Sequence, residues 1–377
     1  MNFCATCRLG TESLVSRELS GLGIGGIRKE DGKVLFEGDW ADLVHALLWL
    51  RTAERVLLVV DTFQAVTFDE LFERVRHADL KPFLRPDSTI HVTGKSAKST
   101  LFSVSDCQRI TKKAAVENLK AAYGRRDVPE GGPEIILEVG ILRDQVTLAL
   151  DACGAGLSRR GYRTYNVEAP LSETLGAAIL MLMRYRREMP LLDPMCGSGT
   201  MPIEAAMMAG NIAPGLTRSF AAENWFFLDP KVFADARAEA RDLKNGDPAE
   251  ITGSDVDPAC IALCKKHAKQ AGVRIEWGVR DAADLPGSTD AGILVCNPPY
   301  GDRLLDRKET VRLYRVMRES FDRYPQYRKG ILSAVPDFER IYGQRADWRR
   351  KLSNGGIPCT LYQYDAPFRG RNGESGY

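Results

Sequence analysis

The segment Leu191-Leu192-Asp193-Pro194-Met195-Cys196-Gly197-Ser198-Gly199-Thr200 decides the fold of this chain. An apolar run ends in an acidic residue, a glycine turn follows, and a helical pattern then passes through Glu204. Glycines allow a sharp turn and close approach of a cofactor, while a helix N-terminus presents N–H groups to a carboxylate. The segment is typical of a nucleotide-cofactor site, although Pro202 stands where a dinucleotide fingerprint needs its third glycine and a phosphate-loop lysine is missing.

Further apolar runs alternate with helical segments after this turn, as in an α/β protein with a doubly wound, mostly parallel sheet. The runs are 191–193, 251–255, 273–277, 293–296, 331–334 and 361–365. Open sheets of this kind bind ligands beyond the carboxyl ends of their strands. We therefore expect the functional residues to follow directly after these runs.

A chain of 377 residues exceeds what one hydrophobic core usually organises, and three blocks are visible in it. Residues 1–61 alternate short strands and helices in a small α+β pattern of the ferredoxin-like kind, with a strand predicted at 33–37. Residues 62–155 form a second α+β block with strands predicted at 89–94, 134–142 and 145–151. The α/β block covers residues 161–377.

The bulk composition indicates a cytoplasmic protein with reduced thiols. No stretch has the roughly 18 apolar residues of a membrane span, and the first ten residues lack the apolar core of a secretion signal. The nine cysteines lack the spacing of a disulfide framework. Cys4 and Cys7 have no second ligand pair nearby, so we interpret them as strand residues and expect no metal and no membrane partner.

Basic residues concentrate between Gly94 and Arg126, although the net charge is only +2. A stripe of cations beside a helix N-terminus suits RNA phosphates. We take as candidate RNA-binding residues Lys95, Lys98, Arg109, Lys112 and Lys113. A solvated helix surface explains the same charges equally well.

Three aspartates stand at the ends of the next two runs or shortly after them. An acidic side chain at the end of the second run, Asp255, can accept both hydroxyls of a ribose. Asp257 precedes Pro258 and is better suited to cap the following helix. Asp281, after the third run, either accepts from an adenine amine or is a plain loop residue.

The most specific motif is Asn297-Pro298-Pro299-Tyr300, after the fourth run. A nucleobase amine is a poor nucleophile, because its lone pair is delocalised into the ring. If the Asn297 side-chain oxygen and the Pro298 carbonyl accept its hydrogens, the nitrogen can direct its lone pair at a methyl group. Tyr300 offers a face for stacking a planar base. No general base is needed, and a cysteine nucleophile at Cys196 or Cys296 is disfavoured by their positions.

These motifs resemble those of the THUMP-containing class I S-adenosylmethionine-dependent RNA guanine-N2 methyltransferases of the RlmL type. The resemblance extends over essentially the whole chain. It is carried by Gly161-Tyr162-Arg163, by Ala169 to Leu175, by Leu192 to Thr200, by Asn211 to Gly215 and by Asn297 to Gly301.

The resemblance implies a THUMP domain at 62–155, a Rossmann-like methyltransferase domain at 161–377, S-adenosylmethionine as the cofactor, and RNA as the partner. It assigns Asn297, Pro298, Pro299 and Tyr300 to the target guanine. Asp255 with Val256 would hold the ribose, and Asp281 with Ala282 would hold the adenine. Asn297 would contact the cofactor as well as the target base. It places in the rest of the cofactor pocket Pro170, Leu171, Glu173, Thr174, Asp193, Pro194, Cys196, Gly197, Ser198, Gly199 and Thr200.

Large-subunit ribosomal RNA is the expected substrate, and tRNA remains open because shorter relatives act on tRNA. Some relatives carry a second methyltransferase domain, whose activity we do not expect here. A DNA adenine-N6 or protein glutamine-N5 methyltransferase could use the same loop. The sequence lacks a large recognition domain for DNA, and a peptide substrate would not need the basic block. A non-catalytic RNA-binding factor is disfavoured by the intact motifs.

Overall fold

The computed structural model describes residues 1–163, 171–246, 250–299 and 307–366. The chain forms two compact units, one of residues 1–159 with 213–242, and one of residues 160–212 with 243–377. Residues 213–242 therefore fold with the N-terminal unit, although they lie within the sequence range predicted for the α/β block.

The elements follow in chain order. The strands are β1 (Asn2–Cys7), β2 (Gly25–Glu30), β3 (Lys33–Glu37), β4 (Ala53–Gln64), β5 (Thr89–Ala97), β6 (Glu134–Leu142), β7 (Gln145–Asp151), β8 (Leu191–Asp193), β9 (Ile251–Asp255), β10 (Glu276–Val279), β11 (Gly292–Cys296), β12 (Tyr327–Ser333), β13 (Trp348–Asn354) and β14 (Ile357–Tyr364). The helices are α1 (Glu12–Gly21), α2 (Trp40–Trp49), α3 (Phe68–Arg76), α4 (Val104–Tyr123), α5 (Glu173–Leu182), α6 (Thr200–Ala209), α7 (Pro230–Asp242), α8 (Pro258–Ala271), α9 (Arg307–Phe321) and α10 (Phe338–Tyr342).

The first unit is built on one seven-stranded sheet with the order β2-β3-β1-β4-β7-β6-β5. The long strand β4 pairs with β1 on one side and β7 on the other, so both predicted α+β blocks share this sheet. The sequence analysis missed β4, and its boundary after residue 61 falls inside this strand. A β-bulge near residue 60 shifts the register there and breaks the alternation of side chains that marks a strand.

Helices cover one face of this first sheet. Phe3, Val34 and Leu137 pack into the main core of the unit together with residues of α1 to α4. The opposite face carries a small apolar cluster of Cys4, Leu57 and Ala149, with Leu35 and Val59 packed against it. We name it the helix-free face.

The second unit is a seven-stranded sheet with the order β10-β9-β8-β11-β12-β14-β13. The first five strands in this order, β10, β9, β8, β11 and β12, are parallel. β14 is antiparallel to β12, and β13 is antiparallel to β14. Ile293 and Val295 of β11 pack into one core, while Leu294 and Cys296 pack into another. Because alternate residues of a strand face opposite sides, the sheet is covered on both faces, which confirms the predicted doubly wound architecture.

Four strands of this sheet differ from the prediction, and one of them, β14, begins at Ile357 rather than at residue 361. The third run was placed at 273–277, but β10 starts at Glu276, because the amide of Val273 bonds to the Ala268 carbonyl (3.0 Å) and closes α8. The run at 331–334 is the end of the longer β12. The edge strand β13 was missed because its sequence, WRRKLSN, is mostly polar, as edge strands often are.

Among the helices in the described ranges, none combines the length and apolar character required to cross a bilayer. All nine cysteines are free thiols, as the sequence predicted. Cys4 and Cys7 both lie on β1, where the sequence analysis placed them.

Candidate active site

Three strand ends come together in the second unit. β8 lies between β9 and β11, with Asp193 paired to Gly253 and Leu192 paired to Leu294. The register puts Asp255, at the end of β9, and Asn297, directly after β11, at the same level on either side of the turn that follows β8, two strand spacings or roughly 10 Å apart. The residues that the sequence singled out after separate runs therefore meet at one edge of the sheet.

The turn after β8 depends on two glycines with left-handed backbone. Gly199 has φ +84°, and a Cβ there would lie 2.9 Å from the Trp277 ring and 3.1 Å from the Cys264 sulfur. Gly197 has φ +53°, and a Cβ there would meet nothing within 4 Å. Gly199 is thus required for packing on the inner side of the turn, whereas open space lies beside Gly197, where a cofactor can approach.

Helix α8 supports this turn from beneath. The Cys264 thiol donates to the Gly197 carbonyl (3.2 Å), and His267 Nδ1 lies 3.1 Å from the Ser198 carbonyl, so Nδ1 carries the proton. Burial lowers the pKa of His267, which keeps the ring neutral. Sequence reasoning missed His267, although its position three residues after Cys264 puts both on one helix face.

Asp255 holds the glycine turn in place. Its Oδ2 accepts from the Gly197 amide (2.9 Å) and its Oδ1 from the Asp257 amide (3.0 Å). A carboxylate has about four acceptor positions, so both oxygens can still accept from ribose hydroxyls. Asp257 caps α8 through the Ala259 amide (2.8 Å), as predicted. The exposed Val256 side chain flanks this edge.

Asp193 is buried at the end of β8, with 1% of its surface exposed. Burial raises the pKa of its carboxyl well above the ordinary value. Its Oδ1 accepts from the Met195 amide (3.2 Å), which fixes the start of the turn at Pro194. Among the described residues this is the only hydrogen bond of the Asp193 carboxyl, which therefore retains acceptor capacity for a ligand.

Asp281 and Ala282 follow β10. The Asp281 carboxylate accepts from the Ala283 amide (2.9 Å) and caps a short 3₁₀ turn, with Ala282 buried beneath it. This contact gives the loop interpretation of Asp281 a structural basis and leaves its second oxygen available to an adenine amine.

A charged network ties the segment before the site to the glycine turn. Arg163 pairs with Glu173 (3.5 Å) and donates to the Leu171 carbonyl (3.0 Å) and to the Thr200 hydroxyl, which itself donates to Leu171 (3.2 Å). The Glu173 carboxylate is therefore engaged by Arg163. Thr174 is buried in the first turn of α5. Pro170 lies outside the described residues.

Behind this network, Glu204 of α6 is fully buried. Its carboxylate contacts two residues that lie just before Arg163 in the sequence. Its Oε1 lies 3.4 Å from Arg160 Nε and accepts from the Tyr162 hydroxyl (3.2 Å). Burial raises the pKa of Tyr162, so its hydroxyl remains a donor. From the sequence, Tyr162 was noted as part of a motif, Glu204 as part of a helix and Arg160 as one of the basic residues, but their ion pair and hydrogen bond were missed.

Asn297 provides the chemically most informative atom of the site. Its Oδ1 is buried and has no hydrogen-bond partner among the residues that the structure describes. Pro298 is buried beside it and offers a carbonyl without an N–H group, and Pro299 is partly exposed. Tyr300 lies outside the described ranges. A buried amide oxygen without a donor is costly, which is typical of an atom that receives its donor from a ligand.

The buried thiols nearby do not act as nucleophiles. Burial raises the pKa of Cys296 well above its ordinary value. A hydrogen bond with Cys264 and burial do the same for Cys196. Since the thiolate is the reactive form, these raised pKa values disfavour a nucleophilic role for either cysteine.

The predicted basic residues of the first unit do not share one face. A Cβ on Gly94 would meet Gln108 and Val104 of α4, so Lys95, the next residue of β5, points to the helix-free face. Lys98 follows β5 in an exposed turn with φ +52°. The other three lie on α4, where the sequence expected a continuous stripe.

Each cation on α4 has a local partner. Arg109 pairs with Asp106 (2.8 Å), Lys112 pairs with Glu130 (2.9 Å), and the Lys113 ammonium lies 5.7 Å from the Phe72 ring centre. These contacts agree with the alternative of a solvated helix surface. Their role in RNA binding stays a prediction.

Three family models match the chain: the RlmL ferredoxin-like domain over residues 2–57, the THUMP domain over 65–151, and the RMKL-like methyltransferase domain over 160–363. The last covers more than half of the sequence. The chain belongs to the RMKL-like methyltransferase family. This confirms the resemblance and the fold class predicted from the sequence.

Relatives of this RMKL-like methyltransferase match it over nearly its whole length. YpsC of Bacillus subtilis, provisionally named an RNA methyltransferase, is 40% identical over 96% of this chain and 94% of its own. The ribosomal RNA large subunit methyltransferase K/L of Methylococcus capsulatus is 33% identical over 98% of this chain, which spans 52% of that protein.

Two solved structures share the fold. A protein of Listeria monocytogenes, named a predicted N6-adenine-specific DNA methylase, has 43% identity and a TM-score of 0.90, with 97% of this chain and 96% of that chain covered. SMU.472, named as a methyltransferase and complexed with S-adenosylhomocysteine (SAH), has 38% identity and a TM-score of 0.90, with 98% and 99% covered.

Proposed function

We propose that this enzyme transfers a methyl group from S-adenosylmethionine to the exocyclic N2 amine of a guanine in RNA, with large-subunit ribosomal RNA as the first candidate substrate. One observation carries the proposal. The buried Oδ1 of Asn297 lacks a donor within the described part of the chain, and an amine is the donor that fits it.

S-adenosylmethionine is the cofactor, and the residues present fit it. Open space beside Gly197 admits the cofactor, and the N-terminus of α6 at Thr200 offers amides to its carboxylate. Asp255 supplies acceptors for the ribose. Val256, whose side chain is 67% exposed, offers an apolar surface at the same edge for a flat ring.

The protein acts on the amine through acceptors rather than through a base. When bound, S-adenosylmethionine supplies a methyl group that its sulfonium already activates. Asn297 Oδ1 and the Pro298 carbonyl accept the two amine hydrogens, which draws the nitrogen lone pair out of conjugation. By holding the amine in place beside the cofactor turn, these two acceptors would provide most of the catalysis through alignment, and S-adenosylhomocysteine would be the leaving group. The extra proton leaves to solvent after transfer.

The choice of guanine N2 over another conjugated amine is supported by the motifs and by the relatives. The segments from Gly161 to Gly301 resemble the guanine-N2 enzymes, and one relative is named a methyltransferase of large-subunit ribosomal RNA. A THUMP domain in the first unit fits an RNA substrate better than DNA or a peptide.

Nucleoside mass spectrometry tests the proposal. Nucleosides from ribosomal RNA, tRNA and DNA of cells with and without the gene are compared. Intact nucleic acid from the cells without the gene is then incubated with purified enzyme and labelled S-adenosylmethionine before digestion. We expect N2-methylguanosine to be missing from large-subunit RNA and restored by the enzyme. Restoration in tRNA would change the substrate, and N6-methyladenine in DNA would overturn the proposal.

A further inference from the structure

A cavity on the first unit is not used by the proposed chemistry. It has a volume of about 540 Å³ and is lined by Arg55, Lys95 and Arg159, together with Glu54 and the loop Gly154–Gly156. Arg55 and Lys95 both point to the helix-free face. Their strands are separated by β7 and β6, and Lys95 lies level with Thr62 rather than with Arg55, so the two backbones are more than three strand spacings, or over roughly 14 Å, apart. Both side chains nevertheless line the same cavity.

The loop at one side of the cavity is held in a defined conformation. The buried Arg218 guanidinium donates to the carbonyls of Ala155, Gly156 (2.7 Å) and Arg159 (3.1 Å). In a trans peptide the N–H group points away from the carbonyl. The amide of Gly156 therefore points away from Arg218, and that of Leu157 donates to the Glu54 carbonyl (2.8 Å) on the cavity side.

The charges around the cavity leave one cation in excess. Arg55 pairs with Asp151, Lys95 with Glu138 (3.3 Å), and Glu54 with Arg8 (3.0 Å). Arg159 is exposed, and its side chain forms no ion pair or hydrogen bond with any residue in the described ranges. An arginine that is free beside one outward-pointing amide, that of Gly156, is suited to a phosphate group.

We propose that this cavity binds a backbone phosphate of the RNA substrate, with Arg159 as its principal cation and Arg55 and Lys95 along its wall. The proposal rests on the proposed function, because it requires RNA as the substrate. RNA would then contact the first unit on the helix-free face and not on the surface of α4, where each cation has a local partner.

Binding of a fluorescein-labelled twelve-residue oligouridylate, followed by fluorescence anisotropy at several KCl concentrations, tests the assignment. We expect Arg159→Ala to weaken binding about tenfold and Arg159→Glu to weaken it further. The slope of log K against log salt should fall by about 0.7, the value for one single-strand phosphate contact. Arg76→Ala, the matched control on α3, where Arg76 is exposed and pairs with Glu73 (3.5 Å), should leave affinity and slope unchanged.

The outcomes separate the two proposals. Unchanged thermal midpoint and S-adenosylmethionine affinity in the Arg159 variants would show that they are folded. If the wild type methylates RNA but both Arg159 variants bind the oligonucleotide normally, the cavity assignment is wrong and the proposed function stands. If uridine monophosphate alone binds in an Arg159-dependent way, the cavity is a free-nucleotide site. If the wild type neither binds nor methylates RNA, both proposals fail.

Discussion

The two sheets of this protein have the same number of strands and use them differently. The sheet of the first unit has helices on one face, and its charged side chains spread over the other. The sheet of the second unit has a core on each face, so only the ends of its strands are left for polar chemistry. A sheet covered once offers a broad surface for a large ligand, whereas a sheet covered twice confines function to its strand ends.

The largest expected effect concerns the buried charges of the second unit. Glu204→Ala removes the carboxylate that Arg160 and Tyr162 share, and should lower the free energy of unfolding by about 3–5 kcal/mol. Urea denaturation measures it. The matched control, Glu239→Ala, breaks a solvent-exposed contact with His45 in the first unit and should cost about 0–1 kcal/mol. Equal losses of unfolding free energy would mean that the buried carboxylate of the second unit stabilises the fold no more than the exposed carboxylate of the first.

The next effect tests the strand-end chemistry itself. Asn297→Ala removes the acceptor for the amine and should lower kcat by about 10²–10³-fold, as removal of one electrostatic partner does in other enzymes. Single-turnover methyl transfer to RNA measures the loss. The thermal midpoint serves as the control for folding and should be unchanged, and calorimetry with S-adenosylmethionine measures separately any contribution of Asn297 to the cofactor pocket. A variant that retains full activity would remove Asn297 from the mechanism.

Asp255→Ala should have a smaller effect, on the cofactor rather than on RNA. The substitution removes the acceptor that holds Gly197 and the predicted ribose partner, so S-adenosylmethionine affinity should fall about tenfold or more by calorimetry. The neighbouring Asp257→Ala loses only a helix cap and should cost about 0.5–2 kcal/mol of stability with normal cofactor affinity. If both variants bound the cofactor equally well, Asp255 would have no special role.

The smallest expected effect is a change in how stability depends on pH. Burial raises the folded-state pKa of Asp193, so the folded protein binds more protons than the unfolded chain, and this stabilisation is lost as pH rises through the raised pKa. Asp193→Asn abolishes that contribution. Its thermal midpoint relative to wild type should therefore increase from pH 4 to neutral pH. A constant difference across this range would argue against a raised pKa.

Much of the site could be predicted because its signals are local. The glycine turn, Asp255, Asp257 and Asn297 each stand at the end of an apolar run, and parallel strands bring such ends together. The strands β3, β6, β7, β8 and β9 were predicted with their observed limits, because alternation or continuous apolarity marks them clearly. The cofactor turn could be recognised without knowledge of its neighbours.

Other features depend on contacts between distant residues and have no local signal. The pairing of β4 with both β1 and β7 joins two blocks that the sequence separates. His267 supports the cofactor turn only because α8 packs beneath Ser198. Lys95 and the cations of α4 lie close in sequence, yet Gly94 faces α4 and turns Lys95 to the opposite side of the sheet.

The sequence by itself determined the family and predicted the cofactor turn and the amine-binding loop, because these rely on short stretches with specific backbone and side-chain requirements. Tertiary structure alone decided which charges pair, where residues 213–242 fold, and which face of the first sheet carries the cavity at Arg159. The physical reason is that a charge or a strand face acquires its role from the partner packed against it, and those partners lie tens to more than a hundred residues away, as Arg55 and Asp151 do.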